Sequence, residues 1–201
     1  MTTGSIIEEL GARGARVLSP RRFAHVQRVA EVADTLAQRF SIPRDALRIA
    51  ALTHDMHREK SAAKLRGAVE RWQISVTPRE LELPVLLHGP VSAAWLLRTY
   101  GSDLPHQNAL YIAIRHHTLG AVELLQDPTG VGLALFIADF CEDGRSWPKK
   151  KQRRRILEEE SLELMSQHII ELEIERYGTV EEPTAHMYAQ LTGTKGARSI
   201  P

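Results

Sequence analysis

Apolar residues recur every three or four positions along most of this chain. Between Pro20 and Phe40 they fall at Phe23, Val26, Val29, Ala30, Ala33, Leu36 and Ala37, one stripe of a helix with 3.6 residues per turn. Ser19 offers an N-cap hydroxyl and Pro20 suits the first turn. A second helix opens at Ser41-Ile42-Pro43 and runs through Ala46, Leu47, Ile49, Ala50 and Leu52 to Met56. A weaker helical pattern covers Ser61 to Trp72. Thr77-Pro78-Arg79-Glu80 resembles a capped start before a short apolar piece ending at Leu87. Gly89-Pro90 opens a helix over 91–100, which Gly101 ends as a C-cap. Leu104-Pro105 opens the next, through Ala109, Leu110, Ile112 and Ala113 to His117. After a turn at Asp127-Pro128-Thr129-Gly130, Val131 to Cys141 is strongly apolar, as a buried central helix would be. A long polar helix is expected over 156–177, with Leu157, Leu162, Met165, Ile169, Leu172 and Ile174 apolar. A short helix at Thr184 to Leu191 and a frayed tail to Pro201 follow. Sustained period-two alternation is absent, so the predicted fold class is all-α.

Length and composition narrow this picture. A chain of 201 residues, 43% hydrophobic and 25% charged, is expected to form one soluble domain, or one domain with a modest appendage, and can bury a real core. The expected division is an extension over 1–19, the main domain over 20–177, and a short helix with tail over 178–201. A net charge of +1 gives no global pull toward nucleic acid or acidic membranes. Cys141 is the single cysteine, so no internal disulfide forms and a reducing cytoplasm is the expected location. The first residues lack the basic start and apolar run of a signal peptide. No stretch approaches the ~20 apolar residues that cross a bilayer.

Candidate chemistry lies in six scattered side chains: His25, the pair His54-Asp55, His88, His117 and Asp139. Imidazole and carboxylate hold zinc, iron or manganese, and converging helices can gather distant ligands. A lone helical histidine is more often a surface or hydrogen-bonded core residue. Asp55 and Asp139 weigh against that bland reading, since each interrupts an apolar run where a carboxylate needs a partner. His88 precedes Gly89-Pro90 at a helix start, where backbone amides favour an anion. His116 and His117 are adjacent, about 100° apart on a helix, so one of the two faces the site. His57, His106, His168 and His186 read as surface or structural.

The strings RFAHVQRVAEVADTLA, ALTHDMHRE, LLHGPVSAAWL, AIRHHTLG and LALFIADFCEDGR carry an ordered H…HD…H…H…D set. This resembles the HD-domain metal-dependent phosphohydrolases, and within them the YqeK-type symmetrical bis(5′-nucleosyl)-tetraphosphatases. The resemblance covers about Pro20 to Arg145. It implies an HD-domain helical bundle with a metal site at its centre, and hydrolysis of diadenosine tetraphosphate to two ADP by a metal-activated water. It implies metal ligation by His25, His54, Asp55, His88, His117 and Asp139, selecting His117 over His116. The implied cofactor is two divalent metal ions, iron first, with manganese, zinc or magnesium as substitutes. Asp55 would bridge the pair, with His25, His54 and Asp139 on one side and His88 and His117 on the other. His54, Asp55, Arg58 and Arg145 carry the implied catalytic roles. Arg58, His88, Gly89, His117, Thr118 and Arg145 are the implied substrate contacts. Three positions depart from the family pattern: Thr118-Leu119-Gly120 for Thr-Thr-Gly, Arg58 for lysine, and Glu142-Asp143-Gly144-Arg145 for Glu-Pro-Gly-Arg.

The partner implied is a dinucleoside polyphosphate, with no membrane, and a homodimer is compatible. Trp72, Trp95, Tyr100 and Phe140 could stack on adenine but read more simply as core. Other nucleotides handled by HD phosphohydrolases form the nearest alternative. The run Lys149-Lys150-Lys151 and Arg153-Arg154-Arg155 raises RNA or ribosome binding as a second. Glu158, Glu159 and Glu160, three to four residues on, favour a solvated helix turn instead.

Overall fold

In the computed structural model, residues 1–193 are described, so the tail beyond them lies outside the described residues. Those residues form helices joined by turns, with no strand among them. The all-α expectation holds. In chain order they are α1 (Thr3–Val17), α2 (Pro20–Phe40), α3 (Arg44–Thr53), α4 (Ala62–Trp72), α5 (Pro78–Glu82), a 3-10 turn (Pro84–Leu87) and α6 (His88–Tyr100). After a second 3-10 turn (Gly101–Asp103) come α7 (Gln107–His116), α8 (Val122–Gln126), α9 (Val131–Cys141), α10 (Lys150–Glu158), α11 (Leu162–Tyr177) and α12 (Glu182–Thr192).

The apolar α9 is the axis of the bundle, packed by α2, α3, α7 and α11. Leu135 and Ile137 are wholly enclosed, and truncating either to alanine would cost about 2–5 kcal/mol. Asp139 is the one α9 residue that is not fully buried. The α2 stripe buries Val26, Val29, Ala30, Ala33, Leu36 and Ala37 as its spacing predicts, with Phe23 half-buried beside them. Ser19 caps α2 by accepting from the Arg22 amide at 3.2 Å.

Four differences from the sequence pattern matter. Residues 3–17 of the expected extension form a helix, α1, which seats the enclosed Ile6 and Leu10 against α3. The helix expected to reach Met56 ends at Thr53, because the chain then folds into successive turns. Helix α6 begins at His88, three residues before the expected start, and α7 begins at Gln107, three after. The long helix expected over 156–177 is broken into α10 and α11. Ser161 caps the new N-terminus, accepting from the Leu164 amide at 3.2 Å. The Arg39 guanidinium meanwhile donates to the carbonyls of Leu157 and Glu159. A helix end needs just these two kinds of partner, an acceptor for its first amides and a donor for its last carbonyls.

Candidate metal centre

The break after Thr53 is what builds the site. The Met56 amide bonds the Thr53 carbonyl, and the Arg58 amide bonds the Asp55 carbonyl. In a regular helix, neighbouring side chains diverge by about 100°; in this turn the buried His54 and Asp55 converge on one place. The other four side chains arrive from α2 (His25), the start of α6 (His88), the end of α7 (His117) and α9 (Asp139). All six positions singled out from the sequence meet there.

Asp55 lies between two groups of partners. Its Oδ2 is 3.5 Å from His25 Nε2 and 3.6 Å from His54 Nε2. Its Oδ1 is 3.2 Å from His88 Nε2 and 3.9 Å from His117 Nε2. On the first side, Asp139 Oδ1 sits 3.1 Å from His25 Nε2 and 3.8 Å from His54 Nε2. Donor atoms of His25, His54 and Asp139 all lie within 4.8 Å of one another, as do those of His54, Asp55 and His117.

The ring tautomers test whether a cation fits. Nδ1 of His54, His88 and His117 lies 2.7, 2.5 and 2.7 Å from the carbonyl oxygens of Ala51, Val85 and Ile114. A carbonyl only accepts, so each Nδ1 carries a proton, and a ring without a second one turns a bare Nε2 lone pair inward. Yet His88 Nε2 and His117 Nε2 are 3.1 Å apart. Bare lone pairs at that distance repel. Burial lowers the pKa of His54 and takes that of His117 down to about 3, so a proton is a poor remedy. A divalent cation accepts lone pairs from imidazole and carboxylate together, so the donor set fits a metal.

Charges around the cluster are paired with care. Burial opposes ionisation of Asp55, but positive charge on the imidazole side of the cluster, at His54 first, outweighs it and holds the carboxyl well below its usual range. Burial also disfavours the His25 cation. Hydrogen bonds to Asp139 and Glu142 overcome it and raise the pKa to about 9. Glu142, 2% exposed, places Oε1 3.2 Å from His25 Nδ1. Its Oε2 accepts from Arg28 Nε and, at 2.7 Å, from the Gly144 amide. Despite burial these contacts bring the Glu142 pKa down to about 2. Arg22 Nη1 donates to Asp55 Oδ2 at 2.7 Å. Arg145 donates to the Asp139 carbonyl at 2.6 Å and to its Oδ1 at 2.5 Å. Arg22, Arg28 and Glu142 were not singled out from the sequence. Their signal was there for the two arginines: each lies three residues from His25, on its own face of α2.

Thr118 Oγ1 reaches His117 Nε2 at 3.1 Å and His88 Nε2 at 3.4 Å. Gly89 is buried, and a Cβ there would stand 2.7 Å from the Arg115 carbonyl. It lets α6 press against the end of α7, which brings His88 onto His117; its part is in packing. Arg58 is half-buried, with no side-chain hydrogen bond or ion pair among the described residues, and lines neither cavity beside the cluster. His116 faces away into one of those cavities. Trp95, Tyr100 and Phe140 are core residues.

A family model for the HD domain matches residues 22–165, and all six clustered side chains fall inside that span. The chain belongs to the HD domain family. Among its relatives, the symmetrical bis(5′-nucleosyl)-tetraphosphatase of Staphylococcus aureus (strain NCTC 8325 / PS 47) is 29% identical over 142 residues. That match covers 71% of this chain and 69% of the relative. The symmetrical bis(5′-nucleosyl)-tetraphosphatase of Bacillus subtilis (strain 168) is 27% identical over 164 residues, covering 81% and 83%. A crystal structure of a "predicted HD superfamily hydrolase involved in NAD metabolism" from Clostridium acetobutylicum superposes with a TM-score of 0.75. It is 19% identical and covers 94% of this chain and 97% of that one, so the HD fold is shared throughout. Among the described residues no helix is long and apolar enough to cross a membrane.

Proposed function

We propose that this HD protein is a metal-dependent phosphohydrolase that cleaves diadenosine tetraphosphate, or a related dinucleoside polyphosphate, symmetrically into two nucleoside diphosphates. The observation that carries it is Asp55 placed between two sets of imidazole donors, in a chain whose relatives bear that activity in their names. His25, His54 and Asp139 with Asp55 Oδ2 would hold one divalent ion; His88 and His117 with Asp55 Oδ1 would hold a second. A mixed imidazole and carboxylate set suits iron or manganese, with zinc or magnesium as substitutes. Divalent ions held there supply Lewis acidity toward phosphoryl oxygens and lower the pKa of water.

The chain's own groups do the rest. Arg22 and Arg145 fix the carboxylates of Asp55 and Asp139 and present positive charge beside them, where phosphoryl charge must be balanced. Glu142 orients His25 through Nδ1. Thr118 offers a hydroxyl next to His88 and His117. A nucleoside diphosphate leaves readily, so a strong general acid is not required. Arg58 lines neither cavity beside the cluster and Gly89 serves the packing of α6 on α7, so this reading gives neither a substrate contact. The reading carries a cytoplasmic setting with it, and a homodimer is compatible.

The basic run offers less to RNA than its composition suggests. Arg153 is spent on the carbonyls of Arg145 and Pro148, at 3.0 and 2.7 Å, and Arg154 pairs with Glu158 at 3.3 Å. Assay of iron- or manganese-loaded protein on diadenosine tetraphosphate tests the reading. ADP as sole nucleotide product is expected; ATP with AMP, or no turnover, would overturn it. Asp55→Ala should lower turnover by ~100–1000-fold or more while far-ultraviolet circular dichroism stays helical.

A further inference from the structure

Two cavities adjoin the cluster, and their charges are opposite. The first, ≈ 430 Å³, borders His25 and is lined by Arg21, Arg22, Arg28 and Arg145 against two carboxylates, Glu59 and Glu142. The second, ≈ 640 Å³, borders Thr118 and is lined by Arg79 and Arg115 against Glu80, Glu82, Glu123, Glu181 and Glu182. Four cations face two acids in one; two cations face five acids in the other. Both are of a size that takes a nucleotide-sized ligand, but charge makes only the first a place for phosphate.

Within that first cavity the arginines are not equivalent. Arg22 is committed to Asp55, Arg28 to Glu142 and Arg145 to Asp139. Arg21 has no hydrogen bond or ion pair among the described residues and stands exposed at the cavity wall. It lies four residues before His25 on α2, on the same face. It also occupies the first turn of α2, which holds no acidic residue. Positive charge at a helix N-terminus opposes the dipole, so local helix energetics do not account for an arginine there.

We infer that Arg21 reads the departing nucleoside diphosphate half of the substrate, seated in the arginine-lined cavity beside His25. This rests on the proposed function. Hydrolysis breaks the central phosphoanhydride bond; water oxygen stays on one half, and the other leaves as the diphosphate. An uncommitted guanidinium can take two phosphate oxygens at once. The three committed ones keep the carboxylates of the cluster in place. Trp147, on the same cavity wall, adds an aromatic surface for the base.

The test compares full-length, manganese-loaded parent with Arg21→Ala and Arg21→Lys. For diadenosine tetraphosphate, Arg21→Ala should raise KM about ten-fold with little change in kcat, the scale of one charge-assisted hydrogen bond. Arg21→Lys should fall between. Calorimetric titration with ADP should show about the same ten-fold loss in Arg21→Ala. Unchanged KM and unchanged ADP affinity would overturn the inference, and so would a fall in kcat at constant KM, which marks a disturbed His25 instead. If the parent binds ADP in an Arg21-dependent way yet cleaves no dinucleoside polyphosphate, the proposed function falls and the subsite stands.

Discussion

His88 and His117 face each other Nε2 to Nε2 at 3.1 Å, and each keeps its proton on the far nitrogen, held by the carbonyl three residues back. Each contact with its own backbone fixes the ring orientation before any ligand arrives. The repulsion between the two lone pairs is then built into the fold, and Asp55 Oδ1 beside them adds negative charge.

Metal should therefore stabilise this protein as well as activate it. A ligand at 100 times its Kd adds about 2.7 kcal/mol, and in a chain of this size each kcal/mol moves Tm by roughly 2–4 °C. Chelator treatment should lower Tm by ~5–10 °C, restored on adding manganese. Scanning calorimetry checks this, and an unmoved Tm would count against the centre.

Glu142 is the residue whose loss should separate metal binding from folding. It orients His25 through Nδ1 and is itself held by Arg28 and the Gly144 amide. Glu142→Gln should weaken metal affinity or activity by about 10–100-fold, the usual cost of disturbing a ligand's supporting group. Metal titration followed by elemental analysis is the readout; affinity equal to the parent's would show that His25 needs no such support.

Gly89→Ala tests the packing of α6 on α7. The added methyl would meet backbone at 2.7 Å, so one helix end must move. Overpacking of this kind costs about 1–3 kcal/mol, and the shift should separate His88 from His117. Urea denaturation should show the lost stability, and metal affinity should fall with it. A variant as stable and as well loaded as the parent would refute the close approach.

Glu173, on α11, supplies a pH test away from the cluster ligands. Burial raises its pKa from 4.5 to about 7, with Arg145 pulling the other way. For an acid whose folded pKa is raised, stability is full below the unfolded value and is lost as pH climbs through the folded one. The window runs from 4.5 to about 7. Glu173→Gln should thus be more stable than the parent by ~1–2 kcal/mol at pH 8, discounting for residual solvent, with no gain at pH 4. Denaturation at both pH values decides, and an equal gain at each would exclude titration as the cause.

What could be read from residue order alone was whatever repeats locally. The α2 stripe, the apolar α9 with Asp139 in its midst, and the caps at Ser19 and Gly101 all follow from spacing within one helix. Asp55 and Asp139 were legible for a related reason, since an acid interrupting an apolar run has to find a partner somewhere; the histidine ligands, and His117 over His116, came from the resemblance of their local strings to HD-domain hydrolases.

Other features depend on elements distant in the chain. Nothing near Leu157 announces that Arg39, about 120 positions earlier, will take the carbonyls that end α10. The turn after Thr53, which turns His54 and Asp55 to one centre, interrupts a pattern that reads as continuous helix. Pairing of Arg22 with Asp55, Arg28 with Glu142 and Arg145 with Asp139 decides which arginines are occupied, and among the described residues leaves Arg21 unpaired. Periodicity encodes which face of a helix is buried. Which charge meets which is settled only when α2, α9 and the turn after Thr53 pack together, because a few ångströms of approach determine the strength of an ion pair in a dry interior.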